Sequence, residues 1–173
     1  EMENSILTKV ALVTGASRGV GAATALALAD AGYAVACAAR STRADPRRTP
    51  GTLDDVVDAI RARGGTAIAV PVDLSDREQV AAMVEQTVAG LGRLDVLVNN
   101  APPQMRGIDE CSWEDFTGAL NVGVTAAFYL TKLFLPHFAP GASVINISSS
   151  RDRMSQPQTE SYSAAKGGIA ALT

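Results

Sequence analysis

The stretch TGASRGVG occupies residues 14–21, between a short apolar run and a run rich in Ala and Leu. Its glycines are Gly15, Gly19 and Gly21, and a glycine-rich turn is most informative in this strand–turn–helix context. The first glycine turns the chain, while the later two allow close approach of a pyrophosphate and close packing of the helix on the strand. The amides at the helix start would then face the anion. A glycine-rich turn without any ligand is the alternative for this motif taken alone.

Predicted strands and helices alternate along the rest of the chain. Apolar runs typical of strands occupy residues 9–13, 34–38, 67–70, 95–98 and 143–147. Helical patterns occupy residues 18–31, 52–63, 75–91, 112–135 and 160 onward. This alternation predicts a parallel sheet with helices on both faces. Right-handed crossovers then give the doubly wound α/β Rossmann fold with strand order 3-2-1-4-5, its later strands being absent from this sequence. We interpret residues 1–173 as a single domain.

Three of the predicted helices begin with a capping pattern, in which Ser or Thr precedes an acidic residue by three positions. The pairs are Thr52 with Asp55, Ser75 with Glu78, and Ser112 with Asp115. Each pair is expected to satisfy amides at its helix start. The long helix after Ser112 is expected to end where Pro136 interrupts it.

The composition excludes several classes of protein. A hydrophobic share of 47% with 19% charged residues is typical of a globular domain. The net charge of −3 offers no basic field for nucleic acid, and the apolar stretches are strand-sized, so no membrane partner is expected. A single histidine, His137, argues against a His-based metal cluster, and no metal site is predicted. Two distant cysteines, Cys37 and Cys111, and residues 1–4 without a secretory pattern indicate a cytoplasmic location.

A second group of polar residues lies near the end of the chain. Tyr162 and Lys166 are four residues apart and would share a helix face, and Ser149 precedes them at the end of the fifth predicted strand. A phenol has an ordinary pKa of about 10, and a neighbouring ammonium favours its phenolate form. Such a tyrosine can exchange a proton with a carbonyl or alcohol oxygen, to which a serine can also donate. Alone, the pair could equally be solvated.

Together these motifs resemble the short-chain dehydrogenase/reductase family, over the length from the first strand to the end of the chain. Residues 14–21 resemble its cofactor turn, and Asn99-Asn100-Ala101 resembles its sheet motif. The resemblance implies a catalytic set that consists of Asn121, Ser149, Tyr162 and Lys166. Lys166 would also hold the nicotinamide ribose and connect through water to Asn121. The implied reaction interconverts a small-molecule carbonyl and a secondary alcohol by hydride transfer.

The resemblance also implies a set of cofactor contacts along the carboxyl edge of the sheet. These residues are Gly15, Ser17, Arg18, Gly19, Val20, Gly21, Arg40, Asp73, Leu74, Asn100, Ala101, Tyr162 and Lys166. Within this set Asp73 would accept a hydrogen bond from the adenine amino group, although a helix-entry aspartate is the alternative.

The second predicted strand ends in a sequence that favours NADP over NAD. Ala38 and Ala39 occupy the place where an acidic residue would hold the ribose 2′-hydroxyl of NAD, and Arg40 follows. A guanidinium pairs with a 2′-phosphate that a carboxylate would repel. Arg18 is expected to reach the same space. The other arginines of this segment, Arg43, Arg47 and Arg48, are interpreted as a solvated basic loop.

The chain departs from the family pattern in three places. Pro102 stands where the family usually has glycine, which should stiffen the loop beside the nicotinamide. Arg151 and Arg153 follow Ser149, either facing an acidic substrate or exposed to solvent. The sequence also stops at Thr173, whereas family members continue through further strands and a substrate lid, so we expect a fragment. The full-length protein is expected to form a homodimer or homotetramer.

Two other functions are compatible with these residues. One is a nucleotide-binding protein of the family with impaired catalysis, and the other is a non-redox reaction such as an elimination. The insertion that ends at residues 50–53 is similar to that of hydroxysteroid-dehydrogenase-like members. The sequence does not identify the substrate.

Overall fold

The computed structural model describes residues 7–173, and its centre is a five-stranded parallel sheet. The strands are β1 (Val10–Thr14), β2 (Ala34–Ala39), β3 (Ala67–Pro71), β4 (Leu94–Asn99) and β5 (Phe138–Asn146). Their spatial order is β3-β2-β1-β4-β5. The predicted fold class and strand order are therefore confirmed.

Helices connect the strands and cover both faces of the sheet. They are α1 (Gly19–Asp30), α2 (Leu53–Ala62), α3 (Arg77–Leu91), α4 (Trp113–Leu120), α5 (Ala126–Phe134) and α6 (Glu160–Leu172). A π-helical segment, Asn121–Thr125, joins α4 to α5, so the predicted single helix over residues 112–135 is interrupted near its middle.

The two faces of the sheet pack into separate apolar clusters because successive strand residues point to opposite sides. Leu12 of β1 lies in one cluster with Met83 of α3 and Phe134 of α5. Its neighbour Val13 lies in the other cluster with Ile60 of α2. Strands buried on both faces read as continuous apolar runs, which is why the sequence located them well.

Two of the three predicted helix caps are confirmed. Thr52 with Asp55, and Ser112 with Asp115, form reciprocal capping boxes. The box predicted for Ser75 with Glu78 is wrong, because the carboxylate of Asp76 caps α3 and accepts from the amides of Glu78 and Gln79. The hydroxyl of Ser75 is engaged elsewhere.

Strand β5 begins five residues earlier than the predicted start at residue 143. Leu94 pairs with Phe138 and Val96 with Ser143, so β5 is bulged relative to β4 between these pairs. Pro140 and Gly141 lie in this irregular stretch, and Gly141 has φ +79°. A proline has no amide to donate, so it is tolerated at a bulge.

The helical stretch Trp113–His137 is long and apolar enough to cross a membrane by length and composition alone. That is weak evidence, because a core helix of a water-soluble domain passes the same test. Here Leu130 and Phe134 are fully buried against the sheet. One side of the stretch therefore packs on the domain core.

Gly21 provides a test of how tightly α1 packs on the glycine turn. A Cβ at this position would lie 2.1 Å from the carbonyl oxygen of Gly15. We expect Gly21→Ala to lower the free energy of unfolding by about 1–3 kcal/mol, as overpacking does, measured by urea denaturation of the nucleotide-free protein.

Gly118→Ala is the matched control, because Gly118 lies in α4 and an added Cβ would meet nothing within 4 Å. This change is expected to stabilise the protein by about 0.5–1 kcal/mol through helix propensity. Equal effects of the two substitutions would contradict the close packing at Gly21.

Candidate active site

The carboxyl ends of β1 and β4 meet at the glycine turn. Gly15 and Gly19 have φ values of +66° and +56°, which favour glycine. A Cβ on Gly15 would lie 2.8 Å from the Cα of Ala101. The backbone after β1 therefore passes directly against the backbone after β4, and no larger residue fits between them.

The hydroxyl of Thr14 joins these two backbones. It donates to the carbonyl of Val98 (3.4 Å) and accepts from the amides of Asn100 (3.0 Å) and Ala101 (3.1 Å). The side-chain amide of Asn100 donates back to the carbonyl of Thr14 (3.0 Å). Thr14 is buried, so these bonds are shielded from water and hold the loop after β4 beside the glycine turn.

The start of α1 offers backbone amides to an anion. Arg18 precedes the helix, its side chain makes no capping bond, and the first turn contains no acidic residue. The carbonyl of Arg18 accepts from the amide of Ala22. The amides before Ala22, including those of Val20 and Gly21, therefore have no partner within the helix. Together with the helix dipole they suit a phosphate group.

Asn121 opens the π-helical segment, which packs closely on the last helix. A Cβ on Gly123 would lie 2.8 Å from the Cβ of Ala165 in α6 and 3.1 Å from Pro103. The wider π turn and the small glycine together bring the loop after β4, the helical segment and α6 into contact. Short π segments are frequent at functional sites.

Lys166 belongs to α6 and is 5% exposed, and its side chain reaches the backbone that follows β5. Its ammonium donates to the carbonyl of Ile147, and Nζ lies 5.5 Å from the ring centroid of Tyr162. Burial lowers the pKa of Lys166 from its ordinary value, because the apolar surroundings disfavour the charged form. The structure thus brings Tyr162 and Lys166 together at the carboxyl edge, as the helical spacing predicted.

The three consecutive serines after β5 have different environments. Ser148 donates to the carboxylate of Asp152 (3.1 Å) and Ser150 begins a short 3-10 turn, whereas Ser149 accepts from the amide of Arg151 (3.2 Å). Ser149 follows Ile147, the acceptor for Lys166, by two residues. Its hydroxyl proton is not used in that bond with Arg151 and can be donated to another group.

Ser161 is a site residue that sequence reasoning missed. Its hydroxyl is fully buried, donates to the carbonyl of Gln104 (2.8 Å) and accepts from the amide of Arg106 (2.8 Å). These bonds hold the loop after β4 against the start of α6, next to Tyr162. Nothing in the sequence marks this serine, because its partners lie more than fifty positions away.

The loop that contains Pro102 is anchored at several points. Pro102 is exposed, whereas Pro103 is buried and contacts the position of Gly123.

The side chain of Arg153 is 93% exposed, and it lies 3.8 Å from the carboxylate of Asp152. This exposure is compatible with the solvated interpretation of Arg153, and a role facing an acidic substrate stays a prediction.

The arginines near the end of β2 have different surroundings. Arg43 is exposed, as the interpretation of a solvated loop expects, and it lies 2.8 Å from Asp58 and 3.5 Å from Asp55. Arg40 is exposed at the end of β2. The guanidinium of Arg18 does not point freely into the space beside Arg40. It donates instead to the backbone carbonyls of residues 49–51, which lie between β2 and α2.

Asp73 lies after β3 at the same edge. Burial alone would raise its pKa, but hydrogen bonds from the amide and hydroxyl of Ser75 and the charges of Arg40 and Arg47 outweigh burial, so the pKa lies below its ordinary value. Both bonds from Ser75 end on Oδ1 (2.9 and 2.7 Å). The neighbouring Leu74 is half-buried and packs against the core.

Within residues 7–173, no group of three His, Cys, Asp or Glu side chains is placed to hold a metal ion. The features that remain are a helix start with unpaired amides, an arginine beside β2 and a Tyr–Lys pair at one sheet edge. These features are typical of a dinucleotide-binding domain, because such ligands bind at the carboxyl ends of parallel strands where the strand order reverses.

Comparisons with known proteins identify the family. The sequence model described as short chain dehydrogenase matches residues 9–173. An uncharacterised oxidoreductase of Methylorubrum extorquens is 41% identical over 166 residues, which cover 95% of this chain and 64% of the relative. A 3-oxoacyl-[acyl-carrier-protein] reductase of Synechocystis is 37% identical over 179 residues, covering 98% of this chain and 67% of the relative.

A solved structure of a metagenomic short-chain oxidoreductase in complex with NADP superposes with a TM-score of 0.85 at 33% identity, covering 96% of this chain and 73% of that one. The chain therefore belongs to the short chain dehydrogenase family. It spans about two thirds of the length of these curated relatives.

The bonds of Thr14 give a testable consequence. Thr14→Val removes the hydroxyl and leaves the amides of Asn100 and Ala101 without their acceptor. We expect the free energy of unfolding to fall by about 1–3 kcal/mol, the cost of unsatisfied buried donors. Thr14→Ser keeps the hydroxyl and should lose clearly less. Urea denaturation of both variants measures the difference, and equal losses would contradict the assigned role of the hydroxyl.

Proposed function

We propose that this chain binds NADP(H) and carries the catalytic residues of an oxidoreductase that interconverts a small-molecule carbonyl and a secondary alcohol. The observation that carries the proposal is the buried ammonium of Lys166, held by the carbonyl of Ile147 at 5.5 Å from the ring of Tyr162. Lys166 thus places a hydrogen-bond donor and a positive charge beside the ring of Tyr162. Tyr162 can then act as a general base towards an alcohol and as a general acid towards a carbonyl.

Each of the other proposed catalytic residues has a distinct role. Bound NADP(H) would supply or accept the hydride. Ser149 donates a hydrogen bond from its hydroxyl to the substrate oxygen that Tyr162 protonates, which stabilises the negative charge developing there. Lys166 holds the nicotinamide ribose and keeps its charge beside the phenol. Asn121 begins the π-helical turn that packs on α6, and it connects to Lys166 through water.

The cofactor is expected to lie along the carboxyl edge of the sheet. The amides of Gly19, Val20 and Gly21 face the pyrophosphate, with Gly15 and Ser17 forming the turn beneath it. Asn100 and Ala101 contact the nicotinamide half of the cofactor.

The adenosine half would lie beside Asp73 and Leu74. Oδ2 of Asp73 can accept from the adenine amino group, since both bonds from Ser75 use Oδ1.

The preference for NADP rests on the charges at the ends of β2 and β3. Ala39 ends β2, where NAD-binding domains place an acidic residue, and the exposed Arg40 follows. The guanidinium groups of Arg40 and Arg47 are both close enough to Asp73 to lower its pKa. The similar metagenomic oxidoreductase was solved with NADP, which supports the same choice.

We further propose that the intact protein is a cytoplasmic homodimer or homotetramer. Both cysteines are free, and burial raises the pKa of Cys37 to about 12, so Cys37 is an inert packing residue suited to a reducing compartment. Phe116 and Phe128, on α4 and α5, expose 37% and 52% of their surface, which suits a contact between subunits.

The role of Tyr162 predicts a selective loss of turnover. In the intact protein, Tyr162→Phe should reduce kcat by about 100- to 10,000-fold, the usual contribution of general acid–base catalysis. The affinity for NADPH should change little. NADPH absorbance with a panel of ketones measures the first quantity, and fluorescence titration measures the second.

Tyr33→Phe is the control, because Tyr33 lies between α1 and β2 at the opposite edge of the sheet and should leave turnover intact. Wild-type turnover in Tyr162→Phe would refute the acid–base role. NADPH binding by a wild-type protein without turnover of any substrate would favour the impaired nucleotide-binding protein.

The role of Arg40 predicts a loss of cofactor preference. Arg40→Ala should raise the Kd of NADPH about 10- to 100-fold, the value of a charge-assisted bond of roughly 1.5–3 kcal/mol. The Kd of NADH should stay within about twofold. Arg43→Ala, whose guanidinium is bound to Asp58, is the matched control. Equal affinity of the wild-type protein for NADPH and NADH would contradict the assignment of NADP.

A further inference from the structure

The guanidinium of Arg18 is bonded to three consecutive carbonyls of the segment that precedes α2. Its Nη2 donates to Thr49 (2.9 Å) and Gly51 (2.9 Å), and its Nε donates to Pro50 (3.0 Å). Residues 41–51, here called the 41–51 loop, connect β2 to the start of α2. Arg18 itself lies in the glycine turn, so these bonds join the turn to the loop across more than thirty positions.

The loop also makes a close contact with the glycine turn. Gly51 has φ +108°, and a Cβ there would lie 2.7 Å from the carbonyl oxygen of Ser17 and 3.1 Å from Cβ of Arg18. The carbonyl of Gly51 accepts from the buried hydroxyl of Ser41 as well (2.9 Å). The amide of Arg47 reaches the same hydroxyl at 3.5 Å. The loop is therefore folded back onto the end of β2.

This folding places a second arginine beside Arg40. The guanidinium of Arg43 is paired with Asp58, whereas that of Arg47 lies 3.4 Å from the exposed Asp45. Arg47 and Arg40 both act on the carboxylate of Asp73 at the end of β3. The amide of Arg47 lies against the hydroxyl of Ser41, which directly follows Arg40, so the loop holds Arg47 beside the end of β2, where a 2′-phosphate would lie.

Arg18 has little capacity left for a phosphate. A bidentate pair needs two neighbouring N–H groups of the guanidinium fork. Nε and Nη2 of Arg18 already donate to the loop, so only Nη1 is uncommitted. This differs from the expectation that Arg18 and Arg40 bind the phosphate side by side.

We propose that Arg18 is a positioning residue that holds the 41–51 loop against the glycine turn, and that Arg47, carried by this loop, completes the 2′-phosphate site with Arg40. The proposal rests on the proposed NADP function. It makes Arg47 a determinant of cofactor specificity, and it makes the action of Arg18 indirect.

Trypsin digestion of the nucleotide-free, intact protein tests the positioning role without any cofactor. The 41–51 loop contains three cleavage sites, Arg43, Arg47 and Arg48. Without the bonds of Arg18 the loop opens more often, so Arg18→Ala should raise the cleavage rate within the loop about tenfold. Mass spectrometry of the fragments over time measures this rate. Arg63→Ala is the matched control, because it removes an arginine paired with Asp30 at the other edge. An unchanged cleavage rate in Arg18→Ala would overturn the positioning role.

Binding of NADPH and NADH tests the link between Arg18 and Arg47. Arg18→Ala and Arg47→Ala should each lower the ratio of NADPH to NADH affinity about tenfold. The double variant should resemble the single ones, because Arg18 acts through Arg47. Arg48→Ala is the control for charge in the loop. A double variant with multiplied losses would show independent contacts and overturn the proposal.

Arg18→Lys keeps the positive charge but has a single nitrogen in place of Nε and Nη2, so it cannot reproduce the planar fork that spans the three carbonyls. It should therefore behave like Arg18→Ala in both experiments. Restored NADPH preference in Arg18→Lys would identify a direct charge on the phosphate and contradict the indirect role. Equal affinity of the wild-type protein for NADPH and NADH would instead overturn the NADP function, while the trypsin result would still decide how Arg18 acts.

Discussion

The site depends on the contact between the backbone after β1 and the backbone after β4. Gly15 and Ala101 approach so closely that a single added carbon would lie 2.8 Å from Cα of Ala101. The hydroxyl of Thr14 satisfies two amides of the opposing loop and thereby makes this approach stable. Because the contact leaves the amides of α1 open on one side, it determines where an anion can lie. It also fixes the start of the loop that contacts α6.

The last helix is tied to this contact through small residues and one serine. Gly123 admits the Cβ of Ala165, and Ser161 holds the backbone of Gln104 and Arg106. A buried ammonium is costly unless it is hydrogen-bonded, and Lys166 meets that condition through the carbonyl of Ile147. The Tyr–Lys pair is therefore held in a defined position, which the proposed proton transfer requires.

Much of the fold was predictable because it depends on local patterns. Strands β1 and β2 are nearly continuous apolar runs, and the caps at Thr52 and Ser112 use residues three positions apart. The helical spacing of Tyr162 and Lys166 also placed them together. The cap of α3 was missed because Asp76 competes with Ser75, which bonds to Asp73 instead. The remaining features depend on contacts between distant segments: the π-helical turn on the packing of Gly123, and the orientation of Arg18 on the carbonyls of residues 49–51.

The central claim is that one edge of the sheet holds NADP in a defined orientation beside the Tyr–Lys pair. A crystal structure of the intact protein with NADP⁺ tests this claim most directly. The account predicts the pyrophosphate against the amides of residues 19–21, the 2′-phosphate beside Arg40 and the nicotinamide ribose within hydrogen-bonding distance of Lys166. A nucleotide bound away from this edge, or with its nicotinamide remote from Tyr162, would contradict it.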